Sequence, residues 1–249
     1  MTSNNIAIEF DDVVAGYGDF MILNNLSFKA RRGRITLLLG PNGAGKSTVL
    51  KTLFGLLKVR QGRVLLGGQD VTGSTAKELL TRHAVAFVPQ GRNLFGQLSV
   101  IENLELGGIT LGMKTTRERI PGILELFPRL AARLHSAAST LSGGEQKQLE
   151  VGRALLLRPQ VLLIDEPSIG LSPLLVQDVL RLLRQRADQG TTVLMVEQNV
   201  KSALKVADDA IALESGRLVL HKRADELLAD PHIERLFLGG VQAAAPASL

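Results

Sequence analysis

Two pairs of residues carry the chemistry this chain can do: Lys46 with Ser47, and Asp165 with Glu166. Lys46 and Ser47 close the stretch Gly40-Pro41-Asn42-Gly43-Ala44-Gly45-Lys46-Ser47, which fits the phosphate-loop pattern at every fixed position. Its glycines allow a tight turn with backbone N–H groups pointing inward, where they cradle an anion. Lys46 adds a point charge for the β- and γ-phosphates of a nucleotide, the Ser47 hydroxyl is a ligand for Mg²⁺, and Thr48 follows in the same helical turn. A chance match in a chain of this length is on the order of one in a hundred, so an incidental Gly-rich turn is a poor explanation.

Asp165-Glu166 ends the apolar run Val161-Leu162-Leu163-Ile164, and Pro167 follows. Two carboxylates at the end of a strand covered on both faces are costly unless they have partners or work. Asp165 suits the Mg²⁺ shell, and Glu166 suits polarising the water that attacks the γ-phosphate. Between the two pairs lies Leu141-Ser142-Gly143-Gly144-Glu145-Gln146. Ser142 and Glu145 have capping-box spacing, so Ser142 opens a helix with free N–H groups, and Gly143 and Gly144 let an anion approach them. Alone this is an ordinary helix cap. Its place before the Asp165 strand makes it a second phosphate contact, suited to a nucleotide shared between two chains.

The elements that must position these residues read as alternating strands and helices. Ile35–Leu39 is a buried strand leading into the loop, and a helix begins at Lys46. Ile6–Phe10, Leu26–Ala30 and Val64–Leu66 are β-rich pieces, punctuated by Gly62, Gly67 and Gly68. Val100–Leu106, Thr115–Leu126 and Pro128–Leu134 read as helices. Ser172 is expected to cap a helix with Pro173 in its first turn and Gly190 beyond its end. Helix and strand then alternate through Thr192–Val196 to Leu213. Ala243–Leu249 is small-residue, Pro-containing and expected to fray.

Over nearly its whole length the chain resembles the ATP-binding subunits of ABC transporters. Besides the three motifs above, Gln90 after Phe87-Val88-Pro89 matches the family's Q-loop, and Ser168-Ile169-Gly170-Leu171-Ser172 its D-loop. Tyr17, the single tyrosine, stands where the family stacks an aromatic ring on adenine. The resemblance implies an α/β fold: a P-loop NTPase core with an antiparallel β subdomain and an inserted α-helical subdomain. The ATPase domain would span 1–242, with core segments 1–90 and 158–242, helical subdomain and signature motif at 91–157, and a flexible tail at 243–249. ATP and Mg²⁺ are the implied cofactors, with Gln90 sharing in both nucleotide and metal contacts. The family's dimer is head to tail, so Ser142, Gly143, Gly144 and Gln146 would face ATP held by another subunit.

Pro89-Gln90-Gly91-Arg92-Asn93-Leu94-Phe95, Leu98–Leu104, Val196-Glu197-Gln198-Asn199-Val200 and Phe237-Leu238-Gly239-Gly240 are most similar to one ATPase of the branched-chain amino acid importers. Urea-import ATPases share much of this pattern. The broad family has a histidine touching the γ-phosphate after the next strand; here Gln198 holds that place, and His83, His135, His221 and His232 lie elsewhere. Gln198 can donate to a phosphate oxygen but cannot carry imidazolium charge. An altered sensor with a slower site is one reading; a subfamily habit is the favoured one.

Composition bounds the rest. The chain of 249 residues can bury a substantial core, and its lack of cysteine excludes disulfides and thiolate metal sites. No run approaches the roughly 18–20 apolar residues of a membrane span, and Met1–Asn5 lacks signal-peptide features. A transport motor would therefore work through separate integral membrane permease subunits, peripherally on the cytoplasmic face, with a second ABC ATPase completing a homo- or heterodimer. Arg92, Leu94 and Phe95 are candidates for a groove receiving a permease helix; packing of Leu94 and Phe95 within the chain is the alternative. The net charge of +5 is scattered and aromatic content is 4%, so a nucleic-acid partner is not expected. A soluble ABC ATPase acting on nucleic acid, or a regulatory subunit with little turnover, are the competing classes. The first lacks a second cassette, and the proposed base Glu166 argues against the second.

Overall fold

The computed structural model describes residues 5–91 and 93–229. Arg92, His232, Phe237–Gly240 and the expected tail at 243–249 lie outside the described residues. Strand β3 (Ile35–Leu39) sits near the middle of a six-stranded sheet in the order β10-β9-β3-β8-β7-β6. Its neighbours are β8 (Thr192–Val196) and β9 (Asp209–Glu214), then β7 (Val161–Asp165), β6 (Val85–Val88) and the edge strand β10 (Arg217–Arg223). All pairs are parallel except β9 with β10. The central strands are buried along their whole length because both faces are covered. On β3, Ile35, Leu37 and Leu39 pack into one hydrophobic cluster and Leu38 into another, following the two-residue alternation of a strand.

The first cluster gathers the helices. These are α3 (Val100–Gly107), α4 (Met113–Leu126), α5 (Pro128–Ala131), α6 (Gly143–Leu156), α7 (Pro173–Asp188), α8 (Val200–Leu204) and α9 (Ala224–Leu228). The second holds α1 (Lys46–Leu53), α2 (Ala76–Arg82) and a four-stranded antiparallel sheet. In that sheet β1 (Ile6–Tyr17) lies between β2 (Phe20–Arg31) and β4 (Val59–Leu66), and β5 (Gln69–Asp70) borders β4. The chain is thus α/β, with a mixed parallel sheet between an antiparallel sheet and a layer of helices.

Several boundaries differ from the sequence expectation for physical reasons. Strands β1 and β2 each run 12 residues, far beyond Ile6–Phe10 and Leu26–Ala30, because bulges let the hairpin continue past the break in alternation. The helix expected over Pro128–Leu134 closes after one turn at Ala131. Ser172 takes the N-cap position of α7, but its side chain makes no capping hydrogen bond; the helix start rests on Pro173, which needs no N–H partner there. The Ser142–Glu145 capping box does form, as do boxes at Thr75–Glu78 and Ser99–Glu102, each worth about 1 kcal/mol.

Candidate active site

The loop between β3 and α1 is held from outside as well as by its own turns. Gly40 has φ of 141°, and a Cβ there would strike the Leu213 carbonyl at the end of β9, so the close approach of the two chains requires glycine. A two-residue turn at Ser215-Gly216, both with positive φ, joins β9 to β10 in the manner of a tight hairpin. The Gly216 N–H donates to the Ala44 carbonyl at 3.0 Å, while its own carbonyl accepts from Asn24 N–H at 3.0 Å. Lys46 Nζ donates to the carbonyls of Gly40 at 2.8 Å and Pro41 at 2.9 Å, so its ammonium lies over the loop. Burial pulls the Lys46 pKa below the ordinary lysine value, and the Glu166 and Asp165 carboxylates act the other way. Tyr17, 45% exposed, ends β1; its hydroxyl accepts from Lys51 of α1 at 3.1 Å, and that ammonium lies over the ring, 5.6 Å from its centre, which places the ring beside the loop's helix.

Next to this loop, β7 and β8 end in register, with Asp165 paired to Val196. Asp165 is 1% exposed, and its Oδ1 is buried without a hydrogen-bond partner among the described residues. Burial raises its pKa above the usual carboxylate value; a hydrogen bond to Ser47 lowers it, and the Glu166 charge raises it further. Glu166 turns the chain with φ of 51°, a conformation unusual outside glycine, and its N–H donates to the Val196 carbonyl at 2.9 Å. That turn aims its side chain at two amides: Glu166 Oε2 accepts from Gln90 Nε2 at 2.6 Å and from Gln198 Nε2 at 3.0 Å. Thus Gln90, Asp165, Glu166 and Gln198 meet beside Lys46 and Ser47.

The Ser142 loop stands apart from this cluster. Gly143 and Gly144 lie against Gly170, Leu171 and Leu175, in the turn before α7 and its first turn. A Cβ on Gly143 would meet only the Gly170 carbonyl, at 3.7 Å, so packing inside the chain does not demand glycine there. The Gln146 side-chain NH₂ is taken up by the carbonyls of Ala138 at 3.1 Å and Leu141 at 3.3 Å, which brace the loop from behind.

The model of the family described as ABC transporter matches residues 23–169, which contain the loop, Gln90, the Ser142 segment and Glu166. The chain belongs to the ABC transporter family. It is 41% identical over 233 residues to the high-affinity branched-chain amino acid transport ATP-binding protein BraG of Pseudomonas aeruginosa, covering 94% of this chain and 100% of that protein. Among solved structures, it is similar to a nucleotide-free ATP-binding cassette from an ABC transporter, with a TM-score of 0.84, 27% identity, and 94% and 100% of the two chains covered. It is also similar to a cassette solved as a dimer in a post-hydrolysis state bound to ADP and Pi, with a TM-score of 0.77, 25% identity, and 87% and 98% covered.

Two parts of this ABC ATPase's site escaped the sequence reading. One is Glu197, which in the sequence stands out only as part of Val196-Glu197-Gln198-Asn199-Val200. It is 3% exposed, and it accepts from Ser168 N–H at 2.7 Å, Ser168 Oγ at 2.6 Å and Asn199 N–H at 3.2 Å. The signal available was an acid directly after an apolar strand, the same signal that singled out Asp165. The other is the Ser215-Gly216 turn, a legible hairpin signal whose contact with the loop lies 172 residues away in sequence, between Gly216 and Ala44. Of the candidate permease contacts, Leu94 packs against the helical cluster, whereas Phe95 stays 52% exposed beneath the Arg153 guanidinium, 5.5 Å from its ring centre. Among the described residues no helix is long and apolar enough to cross a membrane.

Proposed function

We propose that the chain is the ATP-hydrolysing motor subunit of a branched-chain amino acid importer, acting peripherally on the cytoplasmic face beneath separate membrane permease subunits. The observation that carries this reading is the Glu166 carboxylate held by two neutral amides, next to a buried Asp165 with an unpaired oxygen. Neutral donors orient Glu166 without supplying a countercharge, which leaves it able to take a proton from water in line with a γ-phosphate. Lys46 exchanges its loop carbonyls for β- and γ-phosphate oxygens, and the N–H groups from Gly40 to Thr48 enclose the β-phosphate. Pro41, Asn42 and Ala44 contribute backbone to that cradle, and Tyr17 offers its ring to adenine.

The donor set fits Mg²⁺. The Ser47 hydroxyl, the Gln90 carbonyl oxygen and the unpaired Asp165 oxygen are hard ligands with a single carboxylate, the arrangement expected of a metal that completes its shell with phosphates and water. When bound, Mg²⁺ would neutralise charge building on the β- and γ-phosphate oxygens. Gln198 then donates its N–H to the γ-phosphate, and Ser142, Gly143 and Gly144 do so from the facing subunit. Room beside Gly143 supports an approach from outside the chain. A dimer that closes on ATP and reopens on product release gives the permease a motion to follow, and pairing with a different ATPase is the arrangement we favour.

The amino acid reading over urea rests on the similarity to BraG across that protein's whole length. Cells lacking this chain but retaining its permease should regain ATP-dependent leucine uptake when supplied with the wild type and not with Glu166→Gln. The purified Glu166→Gln protein should bind Mg-ATP and associate into a dimer by light scattering. Restored urea uptake without leucine uptake would overturn the substrate, and wild-type turnover in Glu166→Gln would overturn the base.

A further inference from the structure

Three arginines converge on a cavity that no step of ATP hydrolysis uses. It holds about 540 Å³ and is walled by α4, by the turn leaving α6 and by the end of α7. Pro159 and Gln160, in its wall, precede β7, so the five residues of that strand separate it from Asp165 by about 16 Å. Arg119 comes from α4, Arg158 from the turn and Arg186 from α7. None is paired with a carboxylate among the described residues. Arg119 donates to the Leu156 carbonyl at 3.1 Å and Arg186 to the neutral Gln189 side chain at 2.9 Å, while the Arg158 side chain has no partner among the described residues. Arg186 Nε is buried with no acceptor among the described residues.

A buried donor without an acceptor carries a desolvation penalty, here at Arg186. An anion relieves that penalty, and the planar guanidinium fork matches a phosphate in two-point fashion. A separate feature points to the same place. Gly122 sits inside α4, where glycine weakens a helix, and a Cβ built on it meets nothing within 4 Å. Packing gives no reason for that glycine, but it keeps the cavity wall open. A neighbouring cavity of about 290 Å³ shares Gln160 and Gly190 and adds Arg32 and His83 to the same rim.

We propose that this cavity binds a small phosphorylated metabolite, its phosphate held by Arg119, Arg158 and Arg186 and its organic body against Ile123 and Leu155. Such a ligand ties α4 to α7, joining the helical segment to the sheet-bound helix at a point remote from ATP. The test is equilibrium dialysis of radiolabelled pyrophosphate in EDTA with one equivalent of ADP, so that the phosphate loop is filled and little free ADP remains to compete for the cavity. Wild type should bind one equivalent saturably, and Arg158→Glu and Arg186→Met should each weaken binding at least tenfold with ATPase activity unchanged. Gly122→Ala should melt at a higher temperature yet bind less well, which separates a lost site from a lost fold. Absence of saturable binding to wild type, displacement by equimolar sulfate, or undiminished binding in both arginine variants would each overturn the proposal. Because nucleotide occupies its own site throughout, failure here leaves the ATPase reading untouched.

Discussion

Strands β7 and β8 lie side by side, run parallel and each end in a buried acid, yet the two ends are built in opposite ways. At the end of β8, Glu197 accepts three hydrogen bonds, two from Ser168 and one from Asn199, and both of its oxygens are engaged. At the end of β7, Asp165 keeps an oxygen unpaired, and Glu166 is held only by the neutral amides of Gln90 and Gln198. A saturated buried carboxylate is a fastener, because its lone pairs are committed and its charge is dispersed over donors. An unsaturated one stores a desolvation penalty that a ligand can release. The contrast teaches that burial alone does not mark a reactive acid; the count of its donors does.

The largest test of that contrast is Asp165→Asn. Burial is the main reason the Asp165 pKa is raised, so the folded protein holds that proton more tightly than the unfolded chain does. Ionised Asp165 is then a cost to folding above its raised pKa, and the cost fades as pH falls through that pKa. Asp165→Asn should lower Mg-ATP turnover by about 10²-fold or more. In EDTA without nucleotide it should melt about 2–4 °C higher at neutral pH, the equivalent of roughly 1 kcal/mol in a chain of this size. The gap should close toward acid pH. Turnover assays and melting curves across pH check both arms, and a lower melting temperature at neutral pH would mean that Asp165 is a fastener after all.

Glu197→Gln should act in the reverse sense and more weakly on catalysis. The substituted amide turns an NH₂ toward donors that previously met a carboxylate, and charge-assisted bonds of this kind are worth roughly 1.5–3 kcal/mol. Melting temperature should fall by several degrees, while turnover drops less than in Asp165→Asn, because Ser168 shifts but the reacting groups stay. Loss of turnover with no loss of stability would put Glu197 in the reaction itself.

What the sequence made legible follows the same division. Lys46, Ser47, Asp165 and Glu166 were readable because each ends or begins a local pattern: a glycine-rich turn, or an apolar run broken by acid. The central sheet was readable because Ile35–Leu39, Val161–Ile164 and Thr192–Val196 are apolar on both faces. Edge strand β10 was missed, since Arg217–Arg223 is exposed except at Leu220, the one residue of the strand that packs against the core, so no buried alternation marks it. The amide clasp on Glu166 was not readable either, because it joins residues 76 and 32 positions apart that only the sheet order brings together. Donor saturation at Glu197 is likewise a tertiary property: its acid was visible, its three partners were not.

Gln198 is where the two strand ends meet, and it gives the smallest expected effect. It follows Glu197 just beyond β8 but reaches across to Glu166 just beyond β7, lending a neutral N–H at 3.0 Å. Gln198→His keeps a ring N–H that can make the same bond, so the positioning of Glu166 should survive. The imidazole differs in one respect, since it gains a charge as pH falls through about 6.5. Protonated, it pairs with Glu166 and lowers that group's readiness to accept a proton, so turnover should acquire an acid limb absent from the wild type. At pH 8 turnover should stay within about tenfold of the wild type, because the neutral ring donates as the amide does. Steady-state rates from pH 6 to 8.5 read both effects. Complete loss of turnover at pH 8 would show that the ring cannot replace the amide at the γ-phosphate even where it replaces it at Glu166, which would make the Gln198 amide itself indispensable to the reaction.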